Sequence, residues 1–299
     1  MAYIDFLNAL AELQGLTNGQ TLLDNPGPYR SHIESRIAAR AWIDAHSSKL
    51  SDSWSGVRVL DVGCGYGATS VELAKLGARV VGVDTNQRWL DLACANARNE
   101  VAVEFIKGDA ESRDIVRRLS EVGPFDVVIL KDVLHCIRDV GAVLENMSRV
   151  AAANAYTLYR VPNMRSIKHV MADPITRTFA IALLPNEVWP MLCASPPHFY
   201  ARRLEDYRAA FAYWGYQVRD IAAITDEDEG TTRRHIERGL RMLKRELKPE
   251  NFRSKDLRAR VIKAYRLYAA EAQDDLARLD WPSLYQKYRA PTWEGVLSR

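Results

Sequence analysis

The sequence predicts an α/β fold: a doubly wound, mostly parallel sheet of seven strands with helices on both faces. Three observations carry that expectation. Short β-branched runs alternate with longer amphipathic stretches from Val57 to Val161. Those runs are apolar on both faces, as strands inside a doubly covered sheet must be. The first run ends in a glycine-rich turn that leads into a helical stretch, the join expected of a right-handed crossover.

Taken in order, residues 1–50 read as a helical N-terminal cap, with Phe6, Leu10 and Leu13 at the spacing of a docking helix. The opening MAYIDFLNALAELQG has neither a basic stretch nor a small-residue cleavage site. Residues 51–162 form the core. Its expected strands are Val57–Val62, Arg79–Val83, Val101–Ile106, Phe125–Leu130 and Tyr156–Val161. The expected helices are Ala68–Leu76, Gln87–Arg98, Ser112–Glu121 and Val140–Ala153. Residues 163–201 read as an inserted helical lid over the carboxyl end of the fifth strand. Asn163–Tyr200 holds five of the twelve prolines with Trp189, His198 and Phe199. Residues 202–299 complete the core with a helical elaboration: a helix over Arg202–Trp214, a strand over Gly215–Ile221, a long helical stretch and a returning strand over Trp293–Ser298.

Composition narrows the function classes. A net charge of +3 on 299 residues implies no polyanionic partner, and no apolar run is long enough to span a bilayer. Thr231–Lys263 carries twelve Lys or Arg against four Asp or Glu. Ile236, Leu240, Leu243 and Leu247 form an apolar stripe through it, so it reads as a solvated helix face rather than a nucleic-acid surface. Cys64, Cys94, Cys136 and Cys193 are scattered, with no CxxC pair and no paired histidines. That pattern argues for a cytoplasmic protein with neither a disulfide framework nor a metal site. Cys64, inside the glycine turn, reads as packing.

Gly63, Gly65 and Gly67 let a ligand approach the backbone closely. Gly63-Cys-Gly65-Tyr-Gly67-Ala68 satisfies the dinucleotide pattern, and Asp84 follows Gly63 by 21 residues, so spacing alone allows a nicotinamide enzyme. Asp61 points elsewhere. A carboxylate two residues before the first glycine repels a pyrophosphate and suits a cationic group or an amine that needs an acceptor.

LDVGCGYG, VVGVD, GDAE and FDVVILKDVLHCIRD, in that order, resemble a class I S-adenosylmethionine-dependent methyltransferase of the small-molecule type. The resemblance covers Val57 to Val161 and implies a Rossmann-like core holding S-adenosylmethionine. It implies that Asp61 holds the methionine amino group beside Gly63, Gly65 and Gly67, and that Asp84 takes the ribose hydroxyls. A carboxylate with two oxygens suits a cis-diol, since both hydroxyls can donate to it. Thr85 and Asn86 would pack the adenine edge, Asp109 beside Ala110 would accept from the adenine amine, and Lys131 would lie near the methionine end.

His135 is the leading general-base candidate, with packing beside the next helix as the alternative, and Asp132 is a candidate for orienting substrate. The expected substrate surface comprises Tyr29, Arg30 and His32 after the turn at Asp24–Pro28, Arg160 and Asn163 after the fifth strand, and His198, Tyr200, Arg202 and Arg203 from the lid. Several arginines near one crevice suit an anionic small-molecule substrate. The implied activity is O- or N-methylation of a metabolite. Alternatives are a C-methyltransferase or cyclopropane-synthase-like enzyme on a lipid or isoprenoid, aminopropyl transfer, an NAD oxidoreductase, and a catalytically silent binding protein. Lys131-Asp-Val-Leu-His135 stands where nucleic-acid amino-methylating enzymes carry a Pro-Pro-aromatic turn, and no Pro-Cys turn surrounds Cys136.

Overall fold

A computed structural model of the protein describes residues 2–16, 18–24, 30–47, 53–98, 100–174, 177–191, 199–221 and 225–299. Four helices come first: α1 (Ala2–Leu13), α2 (Gly19–Asp24), α3 (Arg30–Ile33) and α4 (Ser35–Ser47). Strands and helices then alternate as β1 (Arg58–Val62), α5 (Ala68–Lys75), β2 (Arg79–Asp84), α6 (Gln87–Ala97), β3 (Glu104–Lys107), α7 (Arg113–Ser120), β4 (Phe125–Lys131), α8 (Val140–Val150) and β5 (Ala151–Pro162). The insertion contributes α9 (Ile167–Met171) and two 3-10 segments, Ile181–Leu183 and Asn186–Met191. The chain continues through α10 (Leu204–Tyr213), β6 (Gln217–Ile221), α11 (Glu229–Arg245), α12 (Lys255–Arg278), α13 (Trp281–Leu284), a π-helix at Tyr285–Arg289 and β7 (Thr292–Ser298).

The seven strands lie in the order β3-β2-β1-β4-β5-β7-β6. Those from β1 to β5 pair in parallel, and β7 is antiparallel to both β5 and β6. The order reverses between β1 and β4. In an open α/β sheet the crevice at the carboxyl ends of such neighbours is where ligands sit. Asn86, Ser112 and Asp139 cap α6, α7 and α8 through their side chains, fixing where each crossover begins. At α5 the preceding residue is Gly67, at φ 73°, with no side-chain cap.

Alternation along each strand feeds two separate cores. Leu60, Val128, Leu130 and Tyr159 pack against Val143, Leu144 and Met147 of α8 and Tyr207 and Phe211 of α10. Val59, Val127, Ile129 and Leu158 pack against Trp42, Ile43 and Leu73 on the other face. A third core joins the insertion to the C-terminal helices, uniting Val170, Leu184, Val188 and Trp189 with Ile236, Leu240, Leu243, Val261 and Tyr268. The apolar stripe of α11 is thereby buried, with its charges on the remaining faces. A fourth core docks Phe6, Leu7, Leu10 and Leu22 onto Leu92 of α6.

The structure departs from the sequence expectation in four places. Leu13 is 36% exposed and takes no part in docking α1. Helix α8 stops at Val150, because Ala151 pairs with Phe125 and draws the alanine run into β5. The third strand starts at Glu104 rather than Val101, opposite Val81. The long helical stretch is two helices, the second begun by Ser254, whose hydroxyl accepts from the Leu257 N–H. No helix among the described residues is long and apolar enough to cross a membrane.

Candidate active site

The glycine turn closes the carboxyl end of β1, with Gly63, Gly65 and Gly67 at φ 69°, 54° and 73°. The three glycines do different work. A Cβ on Gly63 would stand 2.4 Å from Val133 Cγ2, so this position lets the turn meet the loop after β4. A Cβ on Gly67 would stand 2.9 Å from the Phe105 ring. A Cβ on Gly65 would meet nothing within 4 Å, so only there does the turn face open space that a ligand can fill. Burial pushes the Cys64 thiol upward, which leaves it protonated and inert, in keeping with a packing role.

Asp61 is only 3% exposed, and Ser70 Oγ donates to its Oδ2 at 2.6 Å. Burial pushes its carboxyl up to about 6, against the opposing pull of the Ser70 hydroxyl and the Lys131 ammonium. A carboxylate held this far from water gains most from a cationic group placed beside it. Asp84 has each oxygen oriented by a different backbone group: Gly65 N–H donates to Oδ2 at 3.0 Å and Asn86 N–H to Oδ1 at 2.8 Å. Asp109 accepts from Glu111 N–H through Oδ1 at 2.9 Å. Ala110 is buried, and its carbonyl accepts from Asn146 Nδ2 at 2.9 Å.

Thr85 is exposed, and Asn86 is committed elsewhere: its Oδ1 accepts from Arg88 N–H as the cap of α6. The Lys131 ammonium lies 5.8 Å from the Trp42 ring centre and 3.6 Å from Asp132 Oδ2. These donors and acceptors fit S-adenosylmethionine: a buried carboxylate for an ammonium, a glycine without a neighbour for close approach, and an oriented carboxylate for a diol. A pyrophosphate fits poorly beside Asp61.

His135 sits in the turn after β4, 6% exposed, with Nδ1 lacking any hydrogen-bond partner among the described residues. Burial pushes its imidazole down to about 4, partly offset by Asp132, so it is neutral near pH 7. It does not cap α8, since Asp139 fills that role. Its loop is held from three directions. Tyr200 N–H donates to the His135 carbonyl at 2.6 Å. Arg202 donates to the carbonyls of Ile137 at 2.8 Å and Arg138 at 2.6 Å. Glu111 accepts from the N–H groups of Arg138 and Asp139.

Arg202, expected at the substrate surface, is thus a clamp on the His135 loop. Glu111 was in plain view in GDAE, but nothing in its spacing announces a partner in another loop.

Several expected substrate residues have partners within the chain or project to solvent. Asn163 is fully buried; its Nδ2 donates to the carbonyls of Gln286, Lys287 and Ala290, and its Oδ1 accepts from Arg165 N–H. It holds the π-helix. Arg160 is engaged by Asp132 through Nε and Nη2. Arg30 projects to solvent beside Glu34. Arg203 turns to Glu271, away from the glycine turn.

His32 instead joins an aromatic group, its ring centre 5.5 Å from that of Tyr66 and 6.5 Å from that of Trp89, with burial lowering its basicity. Tyr66 belongs to the glycine turn, so this group ties the N-terminal helices to it. Tyr29 and His198 lie outside the described residues.

Residues 53–192 match the family described as a methyltransferase domain. Magnesium-protoporphyrin O-methyltransferase of Rhodobacter capsulatus is 38% identical over 106 residues, covering 34% of this chain and 44% of that protein. Ubiquinone biosynthesis O-methyltransferase of Azorhizobium caulinodans is 30% identical over 143 residues, covering 47% of this chain and 54% of that protein. The chain thus spans about half the length of these curated relatives. A solved S-adenosylmethionine-dependent methyltransferase from Mesorhizobium loti shares the fold at a TM-score of 0.50 and 14% identity, over 88% of this chain and all of that one. The methyltransferase-domain match over residues 53–192, together with these relatives, supports a class I S-adenosylmethionine-dependent methyltransferase.

Proposed function

We propose that the protein transfers the methyl group of S-adenosylmethionine to an oxygen or nitrogen of a small-molecule metabolite. The observation that carries this reading is the Asp84 carboxylate, oriented by Gly65 and Asn86 N–H groups beside the one glycine of the turn that faces open space. Asp84 would accept from both ribose hydroxyls, Asp61 would meet the amino group, and Asp109 would accept from the adenine amine. The bound sulfonium supplies an already activated methyl group. What remains for the chain is alignment, exclusion of water and management of the acceptor's proton.

His135 takes the last role. Its neutral imidazole, with Nδ1 unpartnered, accepts a hydrogen bond from the acceptor's O–H or N–H and holds the nucleophile in line. With its basicity lowered to about 4, it is a weak base. It therefore assists acidic acceptors such as phenols more than alkyl amines, which need a stronger base. Asp132 orients the loop through Arg160 rather than touching substrate.

Calorimetric titration with S-adenosylhomocysteine and, separately, NADH tests the reading, with Asp84→Ala as control. Binding of the homocysteine product, weakened in the variant by the equivalent of about 2–4 kcal/mol, is expected from loss of two charge-assisted hydrogen bonds. Binding of NADH alone overturns it.

A further inference from the structure

A divided chamber lies between the sheet core and the helical core. Its inner lobe, about 240 Å³, is bounded by Leu204 and Trp293 from the sheet side and by Tyr268, Tyr288 and Lys287 from the helical side. The outer lobe, about 470 Å³, lies between the 3-10 segments of the insertion and one face of α12. Arg165, Arg203, Tyr268 and Glu271 border both lobes and so form the partition.

Charge in the partition is lopsided. Glu271 is shared among Arg165 at 3.3 Å, Arg203 at 2.7 Å and Lys287 at 2.9 Å. Asp275 shares Lys287, and its Oδ2 also accepts from the Tyr288 hydroxyl. Across both lobes, six cations (Arg165, Arg203, Arg208, Arg260, Lys263, Lys287) line the walls with three carboxylates (Glu205, Glu271, Asp275), and Arg260 is paired outside them with Asp256 at 2.9 Å. Low-dielectric walls strengthen such an excess toward an anion.

The partition is also held rigidly. Tyr268 donates its hydroxyl to the Arg165 carbonyl at 2.8 Å, and the Arg165 guanidinium lies 5.6 Å from the Tyr268 ring centre. Lys287 comes from the π-helix that Asn163 holds open, a conformation uncommon outside functional sites.

The outer lobe is different in character. Leu183, Leu184, Pro185 and Val188 form one wall. Opposite them, Arg260, Lys263, Ala264, Leu267 and Glu271 recur on one face of α12. Leu267 is 67% exposed at the mouth, an apolar side chain that nothing among the described residues covers. An apolar channel that ends at two ordered guanidinium groups matches one kind of occupant.

We propose that this chamber binds an elongated small molecule with an apolar body and a carboxylate or phosphate end. The anion seats on Arg165 and Arg203, taking a share of the donors now gathered on Glu271, while the body lies along Leu184, Val188 and Leu267. This binding stands apart from the methyl-transfer reading, and its test uses no cofactor.

The full chain is titrated with decanoate and, below its solubility limit, with 1-decanol, by ligand-observed NMR. Saturable decanoate binding is expected, about tenfold tighter than the alcohol. Lys263→Glu and Leu267→Glu lie on exposed positions of α12 and should leave the melting temperature unchanged. Each should weaken decanoate about tenfold. Arg117→Glu, on exposed α7, should leave binding as it was. Equal affinity for acid and alcohol, no saturation, wild-type affinity in both α12 variants, or equal weakening by Arg117→Glu each overturns the proposal.

Discussion

Arg160 and Asp132 form a two-point ion pair at the carboxyl ends of neighbouring strands. Nε donates to Oδ1 at 3.0 Å and Nη2 lies 2.9 Å from Oδ2, where the ladder sets Lys131 opposite Arg160. Asp132 is held there at φ 56°, a left-handed conformation that costs a non-glycine residue on the order of 1 kcal/mol or more. The pair fixes the first residue of the loop that carries His135. It also decides how much of the Asp132 charge reaches the imidazole.

That charge is measurable at His135. Asp132 raises the His135 pKa against burial. Asp132→Asn should therefore lower the His135 titration, and Arg160→Met, which uncovers the carboxylate, should raise it. Two-dimensional NMR of the imidazole C–H signals reads both. Identical titrations in the two variants would break the link between the pair and the histidine.

The pH dependence of the free protein should carry the mark of Asp61. Its folded carboxyl is raised to about 6, above the unfolded value of about 4, so the folded state holds the proton more tightly. Stability is then greatest below pH 4 with respect to this group and falls as pH rises from about 4 to 6, with the full cost present above that. Asp61→Asn should remove that slope and raise the melting temperature at pH 7. Cofactor affinity runs the other way in the wild type. It should rise through pH 6 as Asp61 ionises to meet the ammonium, and the variant should lose that rise along with much of its affinity.

Glycines 63 and 65 should separate folding from binding. Gly63→Ala drives a methyl into Val133 and should unfold several degrees lower. Gly65→Ala meets only space, so its cost to the free protein is the strain of about 1 kcal/mol from a positive φ. Its larger effect should be on titration with S-adenosylhomocysteine, because the new methyl stands where the ligand would. A reversed pattern would mean that the crevice lies on the Gly63 side.

Asn163→Ala should act on stability and not on substrate affinity. Removing the amide takes the side-chain donor from the Gln286, Lys287 and Ala290 carbonyls, of which Gln286 keeps Trp293 Nε1–H, and the acceptor from the Arg165 N–H, a loss of about 2–4 kcal/mol in thermal or denaturant unfolding. A raised KM at unchanged stability would return Asn163 to the substrate surface.

Arg36 gives the matching test on the cap. It is 8% exposed and bridges Glu72 at 2.9 Å and Glu100 at 2.6 Å, joining α4 to α5. Arg36→Met leaves the buried Glu72 with the longer contact to Lys75 at 3.5 Å. A loss of about 3 kcal/mol is expected in denaturant unfolding, and Glu72→Gln in the same chain should restore part of it.

The core was legible because its signals are local. Doubly apolar strands, glycines at positive φ and acids at strand ends follow from the backbone conformation of a few consecutive residues, and Asp61, Asp84 and Gly65 were readable that way. The substrate side was not. Arg160, Asn163, Arg202 and Arg203 looked available because their partners are distant in sequence or are carbonyls, which no side-chain pattern marks. Tyr66 and Trp89 were passed over for a related reason: each is an ordinary helix or turn residue until His32 is folded onto them. The union of the insertion with α11 and α12 was hidden by the intervening strand and helix.

Strand β7 lies between β5 and β6, pairing Tyr156 with Ser298 on one side and Gln217 with Ser298 on the other. During synthesis, neither earlier strand has this neighbour until residues 292–298 have left the ribosome. The free edge of β5 and the whole of β6 must wait through the making of α11 and α12. Ladder closures between residues so far apart are slow, and an open edge is a template for pairing with other chains. The nascent chain is thus exposed to edge-to-edge aggregation until β7 arrives, and that strand, rather than any loop of the crevice, closes the open edge.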